Sequence, residues 1–104
     1  MNQNTEFPAA LRAACMRVLD RHLADRHYRL YLFGSRADGT ATPRSDYDLA
    51  LEPDRPLDNV TLARIRAELE RLPVMQRLDF VDLSSASEDF ARRVRESCRL
   101  LVEQ

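Results

Sequence analysis

The sequence predicts an α/β (α+β) fold, a small mixed β-sheet backed by helices, in one domain spanning residues 1–104. Three observations lead there. Segments with apolar residues at helical spacing alternate with short aromatic- or leucine-rich runs that read as strands. A length of 104 residues suits one domain and leaves no room for a catalytic domain plus a separate substrate domain. The composition, 44 % hydrophobic and 32 % charged, belongs to a globular chain rather than a disordered one.

From Pro8 to about Arg26, Leu11, Cys15, Val18, Leu19 and Leu23 recur on one helical face, and Pro8 suits a first turn. Tyr28 to Phe33 reads as a strand that runs into a turn at Gly34. In Asp46–Glu52, Tyr47, Leu49 and Leu51 point one way while Asp46, Asp48 and Ala50 point the other. Pro53 and Pro56 mark a loop. A helix follows from near Asp58 to Leu72, with Leu62, Ile65, Leu69 and Leu72 on its buried stripe, and Pro73 ends it. Met75 to Leu83 reads as a third strand. Ser85 and Glu88 have capping-box spacing and open a helix that buries Phe90 and Val94. On its outer face Glu88 pairs with Arg92, and Asp89 with Arg93, at i, i+4.

Composition also excludes function classes. No apolar run approaches the roughly 18 residues of a membrane span, and no charged segment before Arg12 starts a signal peptide. Cys15 and Cys98 are too few for a disulfide framework or a four-cysteine zinc site, and read as reduced, buried groups in a cytoplasmic protein. Sixteen basic and 17 acidic residues leave a net charge of −1, without the basic face of a generic nucleic-acid binder. All the basic residues are arginine, so every mechanism that needs lysine is excluded. His22 and His27 flank the end of the first helix and read as capping or surface groups.

Glycine occurs only at Gly34 and Gly39, where average usage would scatter roughly seven along the chain. Their spacing is that of a P-loop, but Thr40 stands where the phosphate-binding lysine is required. A longer pattern survives. Gly34-Ser35 is followed ten residues later by Asp46-Tyr47-Asp48, whose carboxylates at i, i+2 share one face of a strand. Two aspartates so placed repel each other unless a cation lies between them. Hard oxygen ligands of this kind suit Mg²⁺, which takes one or two carboxylates and completes its shell with water and phosphate oxygens.

Gly34-Ser35, ten intervening residues and Asp46-x-Asp48 resemble the signature of the DNA polymerase β-like nucleotidyltransferase superfamily. The wider strings Leu32-Phe33-Gly34-Ser35-Arg36-Ala37 and Ser45-Asp46-Tyr47-Asp48-Leu49-Ala50 resemble its minimal nucleotidyltransferase branch, from the first strand to the last helix. The resemblance implies the polymerase β-like fold and a third carboxylate on a later strand. Asp79 and Asp82 are both available. They face opposite sides of the sheet, and similarity to minimal members selects Asp79.

The implied activity is Mg²⁺-dependent transfer of a nucleoside monophosphate, AMP from ATP, to a hydroxyl on a partner protein. By similarity, Asp46 and Asp48 would hold two ions and the triphosphate. Asp79 would ligate the ion that activates the acceptor hydroxyl and could accept its proton. Gly34 would let backbone approach the β- and γ-phosphates, Ser35 would donate a hydrogen bond, and Arg36 and Arg44 could neutralise phosphate charge. One residue departs from the pattern: close relatives often carry arginine where Asp38 stands, so Asp38 should face solvent or cap the following turn. Minimal nucleotidyltransferases are commonly encoded beside a HEPN-domain protein and act as its antitoxin, so a hetero-oligomer with such a protein is implied. The alternative is a nucleotidyltransferase-fold module, weak or inactive in catalysis, that neutralises its partner by binding it. A third reading is transfer to a small molecule, with a partner subunit completing the pocket.

Overall fold

The apolar stripe of the first segment forms helix α1, Ala9–Leu23, which buries Leu11, Cys15, Val18, Leu19 and Leu23. Pro8 stands at its N-cap with φ −59°, and the helix ends three residues before Arg26. A computed structural model describes residues 7–104. After α1 come β1 (Tyr28–Phe33), a short α2 (Ser35–Asp38), β2 (Tyr47–Pro53), α3 (Asn59–Glu70), β3 (Leu78–Asp82), α4 (Glu88–Ser97) and β4 (Arg99–Glu103).

The four strands form one sheet in the order β3-β2-β1-β4. β1 pairs antiparallel with both β2 and β4, whereas β2 and β3 are parallel and joined through α3. The sheet is therefore mixed, as expected. Alternation along β2 puts Leu49 and Leu51 into the main core with Leu30 and Leu32 of β1, under α1 and α3. On the opposite face Ala50 joins a smaller cluster with Leu83, Ala91 and Val94, closed by α4 and flanked by Tyr31 and Phe33.

Two elements depart from the sequence expectation. The turn after Gly34 contains α2, a single helical turn. The chain also ends in a strand, β4, which covers the open edge of β1. Its pattern hid it, because only Val102 is buried and Leu100 is half exposed.

Boundaries and caps also differ. Asp46 lies just before β2 rather than in it, and Met75 lies in the loop before β3, almost fully exposed. α3 stops at Glu70, with Leu72 packed against the core from beyond its end. α4 is capped by Ser87, whose hydroxyl accepts from Phe90 N at 3.1 Å, and not by Ser85. Ser84 and Ser85 belong instead to the turn that leaves β3, held by Asp82. Asp89 pairs with Arg92 at i, i+3, at 3.0 Å, rather than with Arg93.

His22 Nε2 meets Glu68 Oε2 at 2.6 Å, and Arg21 pairs with the same carboxylate, which ties α1 to α3. His27 Nδ1 lies 3.3 Å from the Gln104 carbonyl. Cys15 is buried, and burial pushes its thiol pKa up to about 12; Cys98 is only half-buried. Among the described residues no helix is long and apolar enough to cross a membrane.

Candidate active site

The site lies where β1 ends and β2 and β3 begin. Antiparallel pairing sets Phe33 opposite Asp48, and parallel pairing sets Asp48 opposite Asp79. Two carboxylates thus occupy one register on neighbouring strands, on the face that carries Phe33 and Ala50. Asp46 stands two residues before Asp48, in the approach to the strand, and is half-buried like the other two. Burial raises the Asp48 pKa, and the charges of Asp79 and Asp46 raise it further. Arg77 Nε lies 3.0 Å from Asp79 Oδ1 and offsets part of this negative charge at an exposed position.

Gly34 explains itself through Asp48. Its φ of +75° and ψ of −155° belong to a region that only glycine enters readily. A methyl group there would overlap Asp48 Oδ2 and lie 3.2 Å from the carboxyl carbon. The backbone of the Gly-Ser turn is therefore packed directly against the Asp48 carboxylate. Gly39 has φ +85° but nothing within 4 Å of a built Cβ, so it only closes the turn after α2.

Ser35 opens α2 and is half-buried. Ala37 N and Asp38 N donate to the Gly34 carbonyl at 3.0 and 3.1 Å, which fixes the turn. Asp38 caps that turn: its Oδ1 accepts from Thr40 N at 3.0 Å and from Thr40 Oγ1 at 2.6 Å, and these bonds lower its pKa. The departure from the family pattern is thus absorbed locally.

Arg36 turns away from solvent. It is 7 % exposed, and its guanidinium faces inward. Nη2 donates to the carbonyls of Ser45 at 2.8 Å and Pro43 at 3.3 Å, and the group stacks 4.3 Å over the Tyr47 ring. These contacts brace the loop between α2 and β2 from within the protein. Nothing in residue spacing could have revealed carbonyl partners seven and nine positions away. Arg44 is exposed on the same loop.

Asp82 sits at the other end of β3, 4 % exposed, where its Oδ1 accepts from Ser84 N and Ser84 Oγ at 2.9 and 2.7 Å. Of the two candidates for a third carboxylate, only Asp79 stands beside Asp48. A cleft of about 630 Å³ opens beside the pair, lined by Asp48, Asp79, Arg66, Phe80 and the edge-to-face rings of Phe33 and Phe90. No spacing of Phe33 and Phe90 along the chain marks this aromatic wall.

Among the described residues, no group of three or more His, Cys, Asp or Glu side chains is gathered closely enough to hold a metal ion. The donor chemistry nevertheless fits a hard divalent cation. Asp46, Asp48 and Asp79 are all carboxylates, and the repulsion from Asp79 and Asp46, which adds to burial in raising the Asp48 pKa, is what such a cation relieves.

Comparison with known proteins places this geometry in context. The family described as polymerase beta, nucleotidyltransferase, matches residues 24–104. A protein of Haemophilus influenzae named probable protein adenylyltransferase MntA is 35 % identical over 77 residues, covering 74 % of this chain and 68 % of the relative. The crystal structure of a toxin–antitoxin with AMP-PNP is similar at a TM-score of 0.72 and 27 % identity, covering 89 % of this chain and 73 % of that one. An MNT antitoxin in complex with a tri-AMPylated Shewanella oneidensis HEPN toxin matches at a TM-score of 0.68, over 91 % of this chain and 71 % of that one. Its 23 % identity shows the fold alone.

Proposed function

The chain belongs to the polymerase beta nucleotidyltransferase family, and from that premise we propose that it transfers AMP from ATP to a hydroxyl of a HEPN-domain toxin for which it is the antitoxin. The observation that carries this reading is the packing of Gly34 against Asp48, with Asp79 at the same register on the next strand. The names of its relatives support the chemistry and the partner: a protein adenylyltransferase, and a toxin–antitoxin pair with an ATP analogue.

The residues divide the work. Asp46, Asp48 and Asp79 would hold Mg²⁺, which supplies charge neutralisation at the triphosphate and lowers the pKa of the acceptor hydroxyl. The Gly34-Ser35 turn offers the polyphosphate a close approach, with the Ser35 hydroxyl as donor. The acceptor oxygen forms a bond to the α-phosphorus as the bond to the α–β bridging oxygen breaks, and diphosphate leaves. The hydroxyl proton passes to Asp79. The acceptor enters from the cleft beside Phe33 and Phe90, and the partner supplies the surface that holds it in place.

Intact-mass analysis of the neighbouring HEPN protein, incubated with this chain, Mg²⁺ and each nucleoside triphosphate in turn, tests the reading. A gain of one or more AMP masses is expected with ATP and none with Asp48→Asn. No gain with wild type, or an equal gain with the variant, overturns it. Protection of cells by an Asp46→Asn, Asp48→Asn double variant would show that binding alone suffices.

A further inference from the structure

Asp46 is the one carboxylate of the three that no strand holds. It sits at the end of a loop, and the bonds around it come from two directions. Inside the loop, Thr42 N donates to Ser45 Oγ at 2.9 Å and Ser45 N donates to the Thr42 carbonyl at 3.0 Å, making a tight local turn. From one side Arg36 holds the Ser45 carbonyl with Nη2 and Nε, at 2.8 and 3.3 Å, and the Pro43 carbonyl with Nη2. From the other side Gln76 Nε2 donates to the same Pro43 carbonyl at 3.0 Å, and Tyr47 N donates to the Arg77 carbonyl at 2.9 Å.

Asp46 therefore lies between two fixed points, the Ser45 carbonyl under Arg36 and the Tyr47 ring stacked on the same guanidinium. Arg36 itself rises from α2, directly after the Gly34 turn that packs on Asp48. One buried side chain links the backbone against Asp48 to the backbone that carries Asp46.

We infer that Arg36 is a positioning residue that sets Asp46 relative to Asp48, rather than a ligand for the nucleotide's phosphates. The inference rests on the proposed cation site and sharpens it by giving the loop carboxylate a dedicated brace. A planar fork is what the task requires: a guanidinium can bond two carbonyls while lying flat on a ring, and an ammonium cannot.

The test uses the full chain with Mn²⁺ as the only added ligand, free Mn²⁺ being followed by electron paramagnetic resonance, in wild type, Arg36→Gln, Arg36→Lys, Asp46→Asn and the Arg36→Gln, Asp46→Asn double variant. Removing a group that orients a ligand typically weakens metal affinity about 10–100-fold. Arg36→Gln and Arg36→Lys should both lose affinity in that range. In the Asp46→Asn background the Arg36 change should cost nothing more, since its effect passes through Asp46. KM for ATP should change less than kcat.

Equal Mn²⁺ affinity in wild type and both Arg36 variants overturns the inference alone. A raised KM for ATP in Arg36→Gln that lysine restores also overturns it, because that is the behaviour of a phosphate charge partner. Wild type that binds no Mn²⁺ overturns the cation site and the inference together. Melting curves identify an unfolded variant. If glutamine unfolds the chain, Arg36→Lys, which keeps the stem and the charge, carries the test.

Discussion

Replacing Gly34 with alanine applies two separate perturbations, and they act on different observables. The first is conformational. At φ +75° and ψ −155° a residue with a Cβ is held in a region that costs about 1–3 kcal/mol. An unfolding entropy of about 2.1 cal/mol/K per residue gives a chain of this length about 0.2 kcal/mol/K, so Tm should fall by roughly 5–14 °C. The second is steric. The new methyl overlaps Asp48 Oδ2, the end of a short side chain, which escapes by swinging away. Stability loses little from that swing, but the carboxylate leaves its place beside Asp79. A misplacement of about 1 Å can cost 10²-fold in rate, so kcat should fall by about that factor.

Gly39→Ala is the internal control. It carries the positive-φ cost of roughly 1–2 kcal/mol without any overlap, so it should lower Tm by roughly 5–10 °C and leave kcat nearly unchanged. Differential scanning fluorimetry and the intact-mass transfer assay read the two effects separately. In the Asp48→Ala background, Gly34→Ala should cost nearly as much stability as it does in wild type, since the cost lies in the backbone conformation and not in the overlap. Gly34→Ala and Gly39→Ala with equal transfer rates would refute the claim that Gly34 exists to seat Asp48.

Four further outcomes follow from the site and its surroundings. The Asp48 pKa is raised in the folded state, so folding favours its protonated form; stability from this group is full below the unfolded carboxylate pKa and is lost as pH rises through the folded value. Asp48→Asn should therefore raise Tm at pH 7 but not at pH 3, and added Mg²⁺ should stabilise wild type more than the variant; thermal melts across pH check both. Asp79→Asn should abolish transfer with little loss of stability. Asp82→Ala should keep transfer at temperatures where it is folded but cost about 1–3 kcal/mol in urea unfolding, because the turn loses two hydrogen bonds from Ser84 to a buried carboxylate. Ser87→Ala should cost about 1 kcal/mol by the same measurement and Ser85→Ala clearly less, because only Ser87 caps α4.

The parts legible in the sequence are those governed by period. The five-residue stripe of α1 and the alternation in β2 follow from side-chain geometry alone, and both are found as read. β4 was not legible, because an edge strand of five residues with one buried side chain has no period to detect. The Ser85 cap failed because two serines compete for the same helix start and Asp82 claims the first turn. In the site, Gly34 stood out by composition, and its backbone packs against the Asp48 carboxylate. That contact and the Asp48–Asp79 register both depend on how strands pair, which no local pattern encodes. The same is true of Arg36, whose partners are backbone carbonyls and a ring brought in by the loop.

The parallel pairing of β2 with β3 has a kinetic consequence. Gly34, Asp46 and Asp48 lie within one short stretch and come together when β1 and β2 close as antiparallel neighbours. Asp79 arrives only after the chain has run through α3 and returned, a closure over a longer loop. The nascent chain therefore acquires its site in two instalments, and it meets the electrostatic opposition of Asp79 only at the second. Conditions that screen or neutralise those carboxylates should speed the docking of β3 while leaving the β1–β2 step unchanged, so the folding rate should respond to divalent cations.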